Sequence, residues 1–113
     1  MSRKIEFIKN AGACIASKNI LEGKGKLCWC IREESENSVD NGWRFLSHID
    51  TDEFLNNPAN LCVCDYNTVA EIEPAIIAIY TMPVGTDIML VRKENKLVFV
   101  DSNTEEEIKL LHL

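Results

Sequence analysis

The stretch Trp43-Arg44-Phe45-Leu46-Ser47 decides the fold of this 113-residue chain, because its residues alternate in the manner of a β-strand. Successive side chains of a strand point to opposite faces, so the first, third and fifth residues share one face and the other two share the opposite face. Two aromatic residues on one strand face are typical of a core. We therefore predict that Trp43 and Phe45 are structural residues on a buried face.

Working outward from this strand, patterning and turn residues predict five further short strands: Ala11–Ala16, Leu27–Arg32, Leu61–Asp65, Thr86–Val91 and Leu97–Val100. The turn residues Gly23 to Lys26 precede the second of them, which predicts a hairpin between the first two strands. A second hairpin is predicted at the tight turn formed by Lys93 to Lys96. The polar segment from Glu33 to Gly42 lacks apolar periodicity, so we expect a loop there.

Short helices are predicted at three capping patterns. Asp50 can cap a helix start with Glu53 reaching back, and Thr68 with Glu71 repeats the pattern. Pro74 is suited to the first position of a further helical stretch. The pattern of Thr104 with Glu107, before apolar residues that include Leu111, predicts either a short docked helix or a frayed end. The fold class expected is α+β, a small mainly antiparallel sheet with two or three short helices, in a single domain spanning 1–113.

Charge is strongly segregated along the chain. Between Glu33 and Asp87 there are eleven carboxylates and one cation, Arg44, whereas residues 1–32 carry seven Lys or Arg and two Glu. An acidic surface repels nucleic acid and membranes and attracts basic partners. This balance points to a protein partner, and it excludes nucleic acid and a membrane surface as partners.

Composition places the protein in a reducing compartment. The chain has 46% hydrophobic and 27% charged residues, and its longest apolar run is too short for a membrane helix. The basic start Met1-Ser2-Arg3-Lys4 is not followed by an apolar segment of signal-peptide length. Five cysteines, an odd number, also fit a reducing environment. We expect a cytoplasmic protein with no cofactor.

Two pairs of cysteines invite a metal hypothesis. Cys28 with Cys30 and Cys62 with Cys64 each place two thiols on one strand face. Four thiolates from two neighbouring strands would suit zinc, with Cys14 or His48 in reserve, but structural zinc sites usually use Cys-x2-Cys knuckles in turns. Buried cysteine is the favoured interpretation.

Evidence for catalysis is sparse. No glycine-rich phosphate loop is present, and a nucleophile paired with histidine would depend on His48, because His112 is the penultimate residue. Asp50, Asp52 and Glu53 would be able to hold a hard cation, but acids at this place usually complement the positive end of a helix. We expect the protein not to be an enzyme.

Several motifs together resemble a known family. They are Asp40-Asn41-Gly42-Trp43-Arg44-Phe45-Leu46-Ser47, the acids at Asp50, Asp52 and Glu53, Asn56-Asn57-Pro58-Ala59-Asn60, and Asp65-Tyr66-Asn67-Thr68-Val69-Ala70. The chain resembles the immunity protein thirty-three family of bacterial polymorphic-toxin systems, with the likeness covering most of it and a core at 11–101. The resemblance implies an α+β immunity protein that binds and neutralises a toxin, and it supplies no catalytic residues.

The expected function is therefore stoichiometric toxin binding through an acidic surface, against a basic partner such as a nuclease. The residues predicted to contact the partner are Glu33, Glu34, Asp40, Arg44, Asp50, Asp52 and Glu53. One alternative is an intracellular small-ligand-binding or regulatory domain, which would show a deep apolar pocket. The other is a metal-dependent hydrolase using Asp50, Asp52, Glu53 and His48.

Overall fold

The protein is described by a computed structural model that covers residues 5–110. Its six strands form one sheet in the order β4-β1-β3-β2-β5-β6. Neighbouring strands are antiparallel except β1 and β3, which are parallel. The strands are β1 (Ala13–Ser17), β2 (Leu27–Arg32), β3 (Asp40–Ser47), β4 (Leu61–Asp65), β5 (Asp87–Lys93) and β6 (Lys96–Asp101).

The helices within residues 5–110 are short, and this confirms the predicted α+β fold with a mainly antiparallel sheet. Three are α-helices, namely α1 (Lys18–Leu21), α2 (Asp52–Leu55) and α3 (Tyr66–Ile72). Two 3-10 helices span Pro58–Asn60 and Pro74–Ile79. Pro74 occupies a first-turn position as predicted, where its missing N–H costs no hydrogen bond.

The predicted hairpin between the first two strands is wrong. β1 pairs with β3 and β4, and β3 lies between β1 and β2. The reason is α1: the Oγ atom of Ser17 accepts a hydrogen bond from the backbone N–H of Asn19 at 3.2 Å and starts a helical turn. The chain therefore leaves the sheet after β1 and returns one strand further away.

The predicted loop from Glu33 to Gly42 is too long at its end, because β3 already begins at Asp40. Gly42 lies at φ +89°, and a Cβ atom there would collide with the carbonyl oxygen of Glu33. The backbones of Glu33 and Gly42 therefore approach closely, and Glu33 N–H donates a hydrogen bond to the Gly42 carbonyl at 2.8 Å. Glycine thus lets the acidic connection turn back directly into β3.

Two predicted helix caps are also wrong by a few residues. Thr51, not Asp50, caps α2, since its side chain accepts from Phe54 N–H at 3.1 Å. Asp65, not Thr68, caps α3 by accepting from Asn67 N–H at 2.8 Å. In both helices the residue immediately before the first turn has the extended backbone that an N-cap requires.

The C-terminal segment is neither a helix nor a frayed end as far as Leu110. Glu107 forms an isolated antiparallel bridge with Val100, and Ile108 N–H donates to the Phe99 carbonyl at 2.8 Å. These contacts extend the sheet beyond β6. Residues 1–4 and 111–113, which include Leu111 and His112, lie outside the described residues.

One face of the sheet, here called the inner face, carries the core. Trp43 and Phe45 are 0% exposed and their rings stack with centroids 5.8 Å apart. The indole N–H of Trp43 donates to the Tyr80 carbonyl at 3.1 Å. Tyr66 packs against Phe45 at 5.6 Å and donates its hydroxyl to the Ile76 carbonyl at 2.7 Å. The aromatic pair thus lies on the face that the alternation predicts, beneath α3 and the second 3-10 helix.

Candidate functional site

Arg44 occupies the opposite face of β3, where it is enclosed by two of the predicted partner-binding acids. Its Nη1 and Nη2 atoms reach the two carboxylate oxygens of Asp40, each at 2.9 Å, and its Nε lies 3.1 Å from Glu33 Oε2. The side chains of Arg44 and Asp40 are each only 10% exposed, while that of Glu33 is 61% exposed. Bidentate charge-assisted pairing of this kind fixes the cation in place.

The electrostatic consequences of this pairing are mutual. Its hydrogen bonds with Arg44 hold the pKa of Asp40 well below the ordinary carboxyl range, and they raise the pKa of Arg44. Both groups are charged at every physiological pH. Arg44 is therefore committed to its own chain, and it neutralises part of the acidic charge around it.

Asp50 has a role within the fold. Its carboxylate accepts from Ser47 N–H at 2.7 Å and from the hydroxyls of Ser47 and Ser17 at 2.6 and 2.9 Å. It also accepts from the side-chain amide of Asn19 at 2.8 Å. Partial burial acts to raise the pKa of Asp50, but these hydrogen bonds outweigh it and the pKa lies below its ordinary value. Asp50 ties the end of β3 to the start of α1.

The other predicted acids face solvent. Glu34, Asp52 and Glu53 are exposed, and no ion pair within residues 5–110 engages them. Asp52 and Glu53 occupy the first turn of α2, whose positive end they complement. Their charge is thus directed outward.

A shallow depression of about 270 Å³ brings parts of this acidic segment together. Its floor is made by Ile15, Ile31 and Leu46, and Leu55 of α2 lies at its side. Glu33, Glu36 and Arg44 line it as well. Sequence reasoning did not single out Glu36 or the apolar floor. Alternation in β2 places Trp29 and Ile31 on one face, but it does not show which face of the strand the helices leave open.

Arg32 and the motif residues Gly42 to Arg44 lie together at the end of the β2–β3 pair. Arg32 donates to the carbonyls of Asn41 at 3.1 Å and Met82 at 2.6 Å. Its guanidinium carbon lies 5.7 Å from the centroid of the Trp43 ring, within reach of a cation–π interaction. Through these contacts, Arg32 connects the β2–β3 pair to the chain that follows the second 3-10 helix.

The cysteines do not form the zinc site considered from sequence. The strands that carry the two Cys-x-Cys runs, β2 and β4, are separated by β1 and β3, so the premise that they are neighbours is wrong. Cys14 instead lies opposite Cys64 in the β1–β4 pair. The hydrogen bond with Cys64 and burial raise the pKa of Cys14, and burial raises the pKa of Cys28 and of Cys30. A raised pKa makes the thiolate form, which binds metal ions, less available at these three residues, whereas the hydrogen bond with Cys14 lowers the pKa of Cys64.

The residues of the hydrolase alternative are not assembled either. His48 accepts a hydrogen bond at Nδ1 from Lys26 N–H at 3.0 Å, while Asp50 is turned toward Ser17 and Asn19. Over residues 5–110, no three His, Cys, Asp or Glu side chains are grouped so that they would hold a metal ion.

A separate cleft of about 460 Å³ lies beside β2 and β5 and is relevant to the small-ligand alternative. Apolar residues such as Leu27 and Leu90 line it together with Lys26, His48 and Arg92. Glu73 also lines the cleft, whose walls are shared by several loops and strand ends.

Within residues 5–110, none of the helices is long and apolar enough to cross a bilayer.

Comparison with known proteins gives one positive result. Residues 14–101 match the family described as Immunity protein Imm33 domain. Comparisons with curated proteins and with solved structures gave no match. The matched range contains all six strands except for Ala13 at the start of β1, and it includes the Arg44 cluster and the depression. Because the match covers most of the 113 residues, this chain belongs to the Immunity protein Imm33 domain family.

Proposed function

We propose that this protein neutralises its toxin by stoichiometric contact through an acidic surface, in the cytoplasm and without a catalytic step or cofactor. Family membership gives a toxin-immunity role and implies a protein toxin as partner. Families of this kind are generally not enzymes. The proposal adds the mode of binding and a basic toxin, such as a nuclease, whose nucleic-acid-binding site would be covered.

The observation that carries the proposal is the fate of Arg44. Arg44 is the one Lys or Arg residue between residues 33 and 87, a segment with eleven carboxylates. Its charge is already paired with two of them, Asp40 and Glu33. No positive group of this segment is left to offset Glu34, Asp52 and Glu53. Because these acids are exposed, their field extends into solvent and would accelerate encounter with a basic toxin.

A single sheet and one buried cluster run through residues 11–101, which supports treating the chain as one domain. Of the residues proposed to contact the toxin, Asp40 and Arg44 lie in β3, and Asp52 and Glu53 lie in α2. The exposed acids require no folding step before they meet the partner, so long-range attraction is expected to act mainly on the association rate.

The test uses a toxin domain sought in the gene neighbourhood of this chain, with cell survival and association rate as readouts. The double variant Asp52→Lys/Glu53→Lys reverses two exposed charges and spares the internally bonded Asp50. The matched control Glu105→Lys/Glu106→Lys makes the same net change in the exposed segment after β6. We expect the first variant to associate about tenfold more slowly at low salt, with the difference shrinking as salt rises.

Equal slowing by the two double variants would show that net charge alone matters and would contradict a localised acidic surface. Association that is indifferent to salt and to both reversals would contradict the electrostatic mode. Failure of the wild-type chain to bind the toxin or to protect cells would contradict the proposed function as a whole.

A further inference from the structure

The sheet has a second face, here called the outer face, that is largely apolar. Strand pairing places Val63, Ile15, Arg44 and Ile31 side by side across β4, β1, β3 and β2. A second row runs from Leu46 through Trp29 to Met89 on β3, β2 and β5. Residues directly opposite each other in paired strands share a face, so these seven side chains form one surface.

The helices leave this surface uncovered. The buried apolar residues of α1, α3 and the second 3-10 helix belong to the cluster under the inner face, which also contains Trp43 and Phe45. α2 contributes no buried residue and only places Leu55 at the side of the depression. Within residues 5–110, the outer face therefore lacks the helical layer that the inner face has.

Exposure is concentrated at one end of this face. Val63 on the edge strand β4 is 73% exposed, and Val39, which lines a small recess with Val63 and Ile15, is 65% exposed. Trp29, Ile31 and Leu46 are half-buried by their neighbours. Contiguous apolar surface with polar surroundings is characteristic of protein-binding sites.

The charges next to the depression and the recess are mostly negative, whereas Lys93 and Lys96 lie at the far end of the same face on β5 and β6. Glu33 and Glu36 line the depression, Asp40 lines the recess beside Val63, and Asp87 lies opposite Ile31 on the same face. The only cation in the two rows, Arg44, is paired with Glu33 and Asp40. An apolar centre with a polar rim, and a tryptophan within the centre, is the usual anatomy of a protein interface.

We propose that the outer face, centred on Trp29, Ile31 and Leu46, is the docking surface for the toxin. This inference rests on the proposed function and gives the acidic residues a geometric role, because they surround the site of burial. The partner that fits has an apolar or aromatic projection for the depression, surrounded by Lys and Arg for the rim. Charge complementarity selects a basic protein over a second copy of this chain, whose own outer face is acidic at the rim.

The inference is tested with a purified toxin domain sought in the gene neighbourhood of this chain, in a form disabled for toxicity. Val63→Lys places a cation on the most exposed part of the outer face, and Trp29→Ala removes the central aromatic. Ile72→Lys is the matched control, because Ile72 is 48% exposed on α3 and lies on the helical side of the sheet. We expect the dissociation constant to rise at least tenfold for the two outer-face variants and to change less than about twofold for the control.

Thermal unfolding of each variant shows whether it is folded, and Val63→Lys keeps the test valid if Trp29→Ala is unstable. Wild-type affinity in folded Val63→Lys and Trp29→Ala, with the wild-type chain still protecting cells, would overturn the docking surface and leave the proposed function standing. Loss of affinity in Ile72→Lys alone would move the interface to the helical side and would also overturn it. A wild-type chain that does not bind would instead contradict the proposed function itself.

Discussion

The two tryptophans lie on opposite faces of the same sheet and have different surroundings. Trp43 is 0% exposed, stacked on Phe45 and hydrogen-bonded to the Tyr80 carbonyl. Trp29, on the neighbouring strand, is half-buried between Leu46 and Met89 on the outer face. The helices bury the first aromatic, whereas the second lies on the face that we propose the toxin covers. In this proposal, apolar residues contribute to stability on the inner face and to recognition on the outer face.

Truncating each tryptophan should separate these roles, and this is the largest effect we expect. Trp43→Ala removes a fully buried ring and should lower the free energy of unfolding by about 3–5 kcal/mol. Trp29→Ala removes a ring that is already partly hydrated and should cost about 1–2 kcal/mol. Urea denaturation of both variants measures the difference. Equal losses would show that the outer face is as much a core as the inner face.

Arg44 offers a smaller effect, because it is the polar element built into the outer face. Arg44→Met would leave the largely buried Asp40 without its cation and should lower the free energy of unfolding by about 2–3 kcal/mol at neutral pH. Urea denaturation at neutral pH measures this loss. An unchanged stability would mean that the ion pairs contribute nothing to the fold.

The same pair predicts a pH dependence. Arg44 holds the folded-state pKa of Asp40 below its ordinary 3.8, so the ionised carboxylate stabilises the fold above about pH 4. That contribution is lost as the pH falls below about 4 toward the lowered pKa. As the pH falls over this range, Arg44→Met should therefore lose less stability than the wild type. Both proteins should still lose the part of their stability that depends on ionised Asp50. Parallel pH profiles would contradict the assignment to Asp40.

The smallest effect is expected from a chelator. Because β2 and β4 are not neighbours, the two cysteine pairs lie on separate parts of the sheet, where Cys30 is buried and Cys28, Cys62 and Cys64 are half-buried. The melting temperature should be unchanged by a strong zinc chelator, and purified protein should contain no stoichiometric zinc. Elemental analysis and thermal unfolding check this. Zinc that is lost together with the fold would contradict it.

Local sequence patterns predicted much of the fold. The period of two in Trp43 to Ser47 identified the inner face, because burial of alternate side chains is a local property of a strand. The hairpin Asp87–Lys93 with Lys96–Asp101 was predicted from its tight turn and is present with near-matching bounds. The family was also identified from its motifs.

Strand order and the role of individual acids were not predictable in the same way. β3 lies between β1 and β2 because it pairs with both, and such pairings depend on contacts distant in sequence. Asp50 and Asp52 look alike in sequence, yet one is bonded internally and the other faces solvent. Trp29 was not singled out because both faces of β2 carry apolar residues, and only the placement of the helices shows which face remains open.

Fluorine NMR of the chain labelled with fluorotryptophan tests the central claim most directly, because the protein contains only Trp29 and Trp43. Trp29→Phe assigns the two resonances, and unlabelled toxin domain is then added to saturation. The account predicts that the Trp29 resonance shifts and loses its sensitivity to solvent, while the Trp43 resonance stays nearly unchanged. A saturated complex in which the Trp29 resonance is unaltered would contradict the account.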